Sequence, residues 1–202
     1  MSLQQYAETH EVFNQVPSLD GANLYRVDLP LQEWIRRYDG GWAEYRLNTY
    51  GALAGGPLMQ AGFLANEHKP QFKTHDRSAN RIDLVEFHPA YHELMRHSMA
   101  AQVQSFSWNH ADKEGAHVVR AALAYLSGQA EAGTGCPLTM THAAVPVLRR
   151  NPVLTQIWLP KVLGTEYDSR SVPVQSKSAC TIGMGMTEKQ GGTDVRANTT
   201  RA

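Results

Sequence analysis

Residues 183–195 read Gly183-Met184-Gly185-Met186-Thr187-Glu188-Lys189-Gln190-Gly191-Gly192-Thr193-Asp194-Val195. No other segment of the chain packs so many glycines, hydroxyls and charges together. Glycine lets a backbone approach a ligand closely or take φ > 0, and threonine offers a donor and acceptors on a short, stiff arm. Asp194 can fix a turn by bonding its own local backbone. The stretch reads as a loop that offers backbone N–H groups and two threonine hydroxyls to a polar ligand. It is not a dinucleotide-binding turn, because Glu188 stands where the third glycine is needed and no helical pattern follows at once. It is not a Walker-type phosphate loop, since Gly185 to Lys189 lacks the required spacing. A surface hairpin turning at Gly191-Gly192 accounts for the same residues without any ligand.

Upstream of this loop, the pattern changes near residue 170. From Asp168, the series Val172, Val174, Ser176, Ser178 and then Thr181–Met184 reads as the entry to strand structure. Before it the chain reads as helices. A short one is expected over Leu31–Tyr38, stopped by Gly40-Gly41. A helical region over Tyr45–Glu67 is interrupted by Gly55-Gly56-Pro57, since proline fits only a first turn. Residues 68–81 read as a polar loop, and Ile82–Phe87 as a short strand or an extended lead. Pro89 opens a helix expected to reach about Phe106, with Tyr91, Leu94, Met95, Met99 and Val103 on one side. Further helices are expected over Val118–Ala132 with Gly133 as its stop, over Leu138–Leu148 with a late bend at Pro146, and from Asn151-Pro152 to Gly164. The expected fold is mainly α. Residues 1–170 form a helical domain, and residues 171–202 begin a β-domain that is truncated within this chain.

The 202 residues suffice for one or two domains with a real core. Lys+Arg and Asp+Glu number 19 each, so the chain lacks the basic surplus of proteins held to nucleic acid by phosphate contacts. Cys136 and Cys180 are too far apart in sequence for a disulfide framework or zinc pattern, and both read as small buried residues. The first residues, Met1–Tyr6, have neither a basic region nor an apolar run of the secretory kind. No run approaches the about 18 apolar residues of a transmembrane helix. A reducing cytoplasm is the expected compartment.

Other chemistries fare worse. His92-Glu93-Leu94-Met95-Arg96-His97 has one residue too many for the zinc protease motif; at i and i+5 the histidines point about 140° apart around a helix. His88 and His92 stand at i and i+4, but no third ligand is evident, so no metal is expected. There is no nucleophile elbow. Cys136 before Pro137 reads as a structural thiol rather than a nucleophile.

The Met186-Thr187-Glu188 and Gly191–Val195 residues together resemble the flavin-binding segment that opens the β-domain of acyl-CoA dehydrogenases. Thr9–Gln15 with Pro17 and Asn23-Leu24-Tyr25, Phe87–His92, and Cys136–Thr141 resemble motifs of the AidB-like branch of that family. The resemblance implies FAD as cofactor, with Met184, Gly185, Met186, Thr187, Glu188, Lys189, Gln190, Gly191, Gly192 and Thr193 along the isoalloxazine and its ribityl-pyrophosphate chain. It implies an acyl-CoA or similar substrate and a homotetramer to which the N-terminal arm contributes. It also implies a function in protection against DNA alkylation, with DNA contacts in a distant C-terminal region. Glu188 belongs to the loop motif and is not the family's base, so the catalytic carboxylate is expected outside this chain. The chain is thus expected to be the N-terminal part of a longer protein, binding FAD weakly or not at all by itself. The competing expectation is an oligomer-assembly helical module without cofactor or activity.

Overall fold

The computed structural model describes residues 13–201. The expected arm residues Thr9–Val12 lie outside them. The chain builds a helical body from α1 (Leu24–Val27), α2 (Leu29–Arg37), α3 (Glu44–Gly55), α4 (Pro57–Glu67), α5 (Pro89–Ala100), α6 (Phe106–Asn109), α7 (Ala116–Ala130), α8 (Gly135–Leu148) and α9 (Pro152–Val162), with a hairpin β1 (Gln71–His75) and β2 (Arg81–Glu86) between α4 and α5.

Local chemistry sets the helix ends. Asn23 and Asn151 each accept two backbone N–H bonds at the first turns of α1 and α9, satisfying donors that a helix start leaves free. Pro57, Pro89 and Pro152 sit in first turns, where a missing N–H costs nothing. The break between α3 and α4 falls at Gly56, whose φ of −107° and ψ of −111° separate the two helices as the Gly-Gly-Pro sequence predicts. Two glycines permit close crossings. A Cβ on Gly55 would lie 1.8 Å from the Ala22 carbonyl oxygen, and one on Gly62 would lie 2.2 Å from that of Ala130.

The core joins Leu47 and Tyr50 of α3, Leu58 of α4, Met95 and Met99 of α5, Phe106 of α6, and Val119, Leu123 and Leu126 of α7. Within it, Tyr50 Oη lies 3.1 Å from Ser98 Oγ, which lies 3.3 Å from Ser127 Oγ. That hydroxyl chain satisfies three polar groups in apolar surroundings, as burial demands. A second, smaller cluster joins Ala144, Val145 and Leu148 of α8 with Val162 of α9 and Cys180, flanked by Trp108, Trp158 and Ile182. This cluster attaches the last thirty-odd residues to the helical body.

Three expectations are corrected. First, the polar loop over 68–81 contains β1, paired antiparallel with β2 in the register Gln71↔Glu86, Phe72↔Val85 and Lys73↔Leu84. β1 is exposed at every residue, so no apolar alternation marks it in the sequence, whereas β2 falls on the short strand or extended lead expected over Ile82–Phe87. Their turn is held by Asp76, whose carboxylate accepts the N–H groups of Ser78 and Asn80 at 2.8 and 2.9 Å. Second, the helix from Pro89 ends at Ala100. Gln102 turns left-handed at φ 68°, and the carbonyl of Val103 accepts Arg120 Nε at 3.0 Å instead of continuing a helix. Third, the strand entry expected from Val172 forms no ladder among the described residues. It holds one 3-10 turn, Val174–Ser176, and otherwise irregular backbone. Strands need partners for their backbone groups, and no other described strand lies alongside.

Candidate functional site

The loop is seated on α8. Thr141, wholly buried, donates its hydroxyl to the Pro137 carbonyl at 2.7 Å and accepts the Ile182 N–H at 3.0 Å. Two residues on, the Met184 N–H points at the sulfur of Met140, 3.2 Å away. Ile182 packs into the smaller cluster beside α8 and α9. One buried hydroxyl, one thioether and one aliphatic side chain thus fix where the backbone leaves the helical body.

Beyond Met184 the loop faces outward. Met184 and Met186 are about half exposed, at 47% and 53%. A Cβ on Gly183 or Gly185 would meet nothing within 4 Å. Among the described residues, the N–H groups of Gly185, Met186 and Thr187 have no intramolecular acceptor. A cavity of about 470 Å³ opens beside them, lined by Gly185, Met186, Thr187, Glu188, Val195, Asn198 and Thr200. Unpaired donors on side-chain-free backbone along a cavity are what a ligand rich in acceptors needs.

The loop closes on itself by a different route from the expected glycine turn. Glu188 and Gly191 exchange backbone hydrogen bonds at 2.8 and 3.2 Å, so the turn lies at Lys189-Gln190 and Gly191 forms its far side. Gly191 is buried there; a Cβ would come within 2.4 Å of Asn198 Oδ1 and 2.6 Å of the Asp194 carbonyl. Gly192 is roomier, its nearest neighbour being the Thr187 methyl at 3.3 Å. The Glu188 carboxylate accepts the N–H groups of Thr199 and Thr200 at 3.0 and 2.9 Å. Hydrogen bonds from the Thr200 hydroxyl and then from these N–H groups hold its pKa below the usual glutamate value. Glu188 is thus a loop brace. Asn198 Nδ2 donates to the Met186 carbonyl, and Asp194 accepts Arg196 N at 3.2 Å.

The expected residues therefore divide. Met184, Gly185, Met186 and Thr187 border the open face; Glu188 and Gly191 hold the turn; Lys189, Gln190, Gly192 and Thr193 are exposed along it. Sequence reasoning missed Met140, Thr141 and Asn198 as loop supports. Met140 and Thr141 lay inside a quoted motif, but only packing shows which side chains reach across. Cys180 is buried as expected, whereas Cys136 is exposed near the start of α8, because its helical turn points away from both clusters. His88 caps α5 by accepting the Ala90 N–H at 3.2 Å, and His92 pairs with Tyr167.

Behind the loop, His142 of α8 stacks on Trp108 at 4.9 Å between ring centres and donates Nδ1–H to the Gln104 carbonyl at 3.2 Å. Trp108 Nε1 donates to the His142 carbonyl at 3.0 Å. Burial, then the nearby Arg120 cation, pushes the His142 pKa down to about 4, so the ring is a neutral strut.

Residues 14–169 match the family model described as Adaptive response protein AidB N-terminal domain. The chain is 43% identical over 197 residues to the Escherichia coli (strain K12) protein named "Putative acyl-CoA dehydrogenase AidB", covering 96% of this chain and 36% of that protein. Among solved structures, Bd2924 in its apo form shares the fold at a TM-score of 0.75 and 21% identity, over 94% of this chain and 37% of its own. Caenorhabditis elegans ACDH-11, in complex with C11-CoA, shares it at 0.74 and 20% identity, over 99% and 34%. The chain spans about a third of the length of these relatives.

Proposed function

The chain belongs to the AidB family of acyl-CoA dehydrogenase-like proteins, whose N-terminal domain it carries, and from that premise we propose that it is the flavin-presenting part of an FAD-dependent oxidoreductase acting on an acyl-CoA or similar thioester. The observation that carries this reading is the open face of Gly185, Met186 and Thr187, with unpaired N–H groups seated on α8 beside a cavity. The complex of C. elegans ACDH-11 with C11-CoA supports the substrate class. The whole enzyme would be a cytoplasmic homotetramer that serves alkylation protection rather than fatty-acid oxidation.

These residues fit a flavin's polar edge: donors without acceptors, no side chain at two glycines, and a Thr187 hydroxyl adjoining. Bound FAD would supply the acceptance of hydride from the substrate. The N–H groups of Gly185, Met186 and Thr187 would donate to the ring's carbonyl edge, stabilising negative charge there. Thr193 would donate from its hydroxyl toward the phosphates, its extra methyl narrowing the site relative to serine. Met184 and Met186 would offer polarizable, adaptable apolar contact. Thr141 and Met140 would fix the loop before any ligand arrives. This chain would bind and orient, with proton abstraction left to a carboxylate outside it.

The test is a chimera joining this chain to the rest of the E. coli relative. The expected result is a visible flavin band in the purified chimera, lost on Gly192→Asp, which sets a carboxylate on the loop, and weakened on Thr187→Val. A well-folded chimera with no flavin band would leave only the assembly-module reading.

A further inference from the structure

Between α9 and the loop, residues 167–178 are tied into a knot of charges. Asp168 is central. Its Oδ1 accepts the Arg170 N–H at 3.1 Å and Arg170 Nε at 2.9 Å, and its Oδ2 accepts Arg170 Nη2 at 2.7 Å and the Ser178 N–H at 3.0 Å. One carboxylate thus closes a segment of chain end to end. Lys177 threads the same segment from inside, donating Nζ to the carbonyls of Asp168 and Arg170 at 2.9 and 2.5 Å. Arg170 Nη2 also reaches the Ser176 carbonyl at 2.9 Å. The Asp168 side chain is only 4% exposed although its partner Arg170 is 61% exposed, so the carboxylate is enclosed by its own donors.

The knot is anchored on both sides. Tyr167 Oη bonds His92 Nδ1 of α5 at 2.8 Å. Lys161 of α9 donates Nζ to the Lys177 carbonyl. Directly after the knot, the Cys180 N–H returns to the Lys161 carbonyl at 3.1 Å, and two residues later the Ile182 N–H meets Thr141. The path from knot to open face is therefore Ser178, Cys180, Ile182, Met184, with hydrogen bonds tying each of these residues down. No strand ladder among the described residues does this work. Without the knot, the 168–178 segment would be a flexible tether, and only the bonds of Cys180, Ile182 and Met184 to α9 and α8 would hold residues 179–185.

We propose that Asp168 and Lys177 are positioning residues for the flavin loop: they close the 168–178 segment so that Cys180, Ile182 and Met184 register on α9 and α8 and present Gly185–Thr187 outward. The role in presenting a flavin rests on the functional reading above; the role in seating the loop does not.

Hydrogen exchange of the 202-residue chain tests the seating without any cofactor. In Asp168→Asn and Lys177→Met, exchange at the Cys180 and Ile182 amides rises about tenfold, while α7 core amides such as Leu123 and Leu126 keep their protection. Lys177→Arg, which keeps a cation and its donors, recovers much of the protection. If Asp168→Asn does not fold, Lys177→Met gives the same readout. A rise confined to 168–178, with Cys180 and Ile182 unchanged, overturns the proposal; so does a rise spread equally through α5 and α7, since the knot would then hold the body and not the loop. The chimera separates the two claims. A flavin band weakened by Asp168→Asn together with the local exchange rise supports both. The exchange rise with no flavin band even in the unsubstituted chimera supports the positioning role and removes the functional reading.

Discussion

The helical body and the segment after α9 are held by different physics. In the body, Phe106, Leu47, Met95, Met99, Leu123 and Leu126 are less than 2% exposed, and the buried hydroxyls of Tyr50, Ser98 and Ser127 bond one another. From 166 to 201, only Ala179, Cys180 and Gly191 are buried; the structure rests on carboxylates, ammonium groups and amides bonding local backbone. Apolar burial is non-directional and large. Exposed charge pairs are weak singly and screened by salt. The body therefore fixes its own shape, whereas the loop is shaped by short polar bonds and leaves a face of unpaired donors. A binding face needs that second arrangement, because donors already paired within the chain have nothing to offer a ligand.

The largest effects are expected in the body. Phe106→Ala is expected to cost about 3–5 kcal/mol, the range for removing a fully buried aromatic ring, seen as a lower urea midpoint. Gly62→Ala should cost about 2–3 kcal/mol by driving a methyl into the Ala130 carbonyl, again by urea melting.

The junction between the regions gives intermediate effects. His142 titrates near 4 in the folded chain against an ordinary 6.5, so the unfolded chain takes up the proton first. Its contribution to stability is complete above about pH 6.5 and is lost as pH falls toward 4. With the ring only partly buried, the loss should be about 1–2 kcal/mol. Urea melts at several pH values should show that slope in the native chain and a flatter profile in His142→Gln. Thr141→Val, which strands the Ile182 N–H, should cost about 1 kcal/mol and raise exchange at Ile182.

The loop gives the smallest effect on folding. Gly185→Ala has open space for its methyl and should change stability by less than about 0.5 kcal/mol, while weakening flavin uptake by the chimera.

The same division explains what could be read in the sequence. Helices with apolar periodicity and proline starts were legible, including the break at Gly56-Pro57, because burial and missing N–H groups leave a residue pattern. Of the β1–β2 hairpin, β2 was legible as a short strand or extended lead over Ile82–Phe87, whereas β1 was not, since it is exposed at every residue and carries no apolar alternation. The end of α5 was also missed: past the left-handed Gln102, the Val103 carbonyl is taken by Arg120, distant in sequence. The loop's composition announced donors and glycines, but not that the turn falls at Lys189-Gln190 or that Glu188 braces it. Nor did the sequence reveal the Asp168 knot, where charged residues that look like a solvated stretch bond backbone across ten positions.

On the proposed function, backbone N–H groups at 185–187 would form the flavin-facing edge. The most direct test is an amide NMR titration of the 202-residue chain with FAD, where weak binding, on the order of millimolar, still moves resonances. Saturable shifts are expected at Gly185, Met186, Thr187, Gly192 and Thr193, with the β1–β2 hairpin and the α7 core unmoved. Saturable shifts confined to other surfaces, with this loop unmoved, would contradict the proposed function.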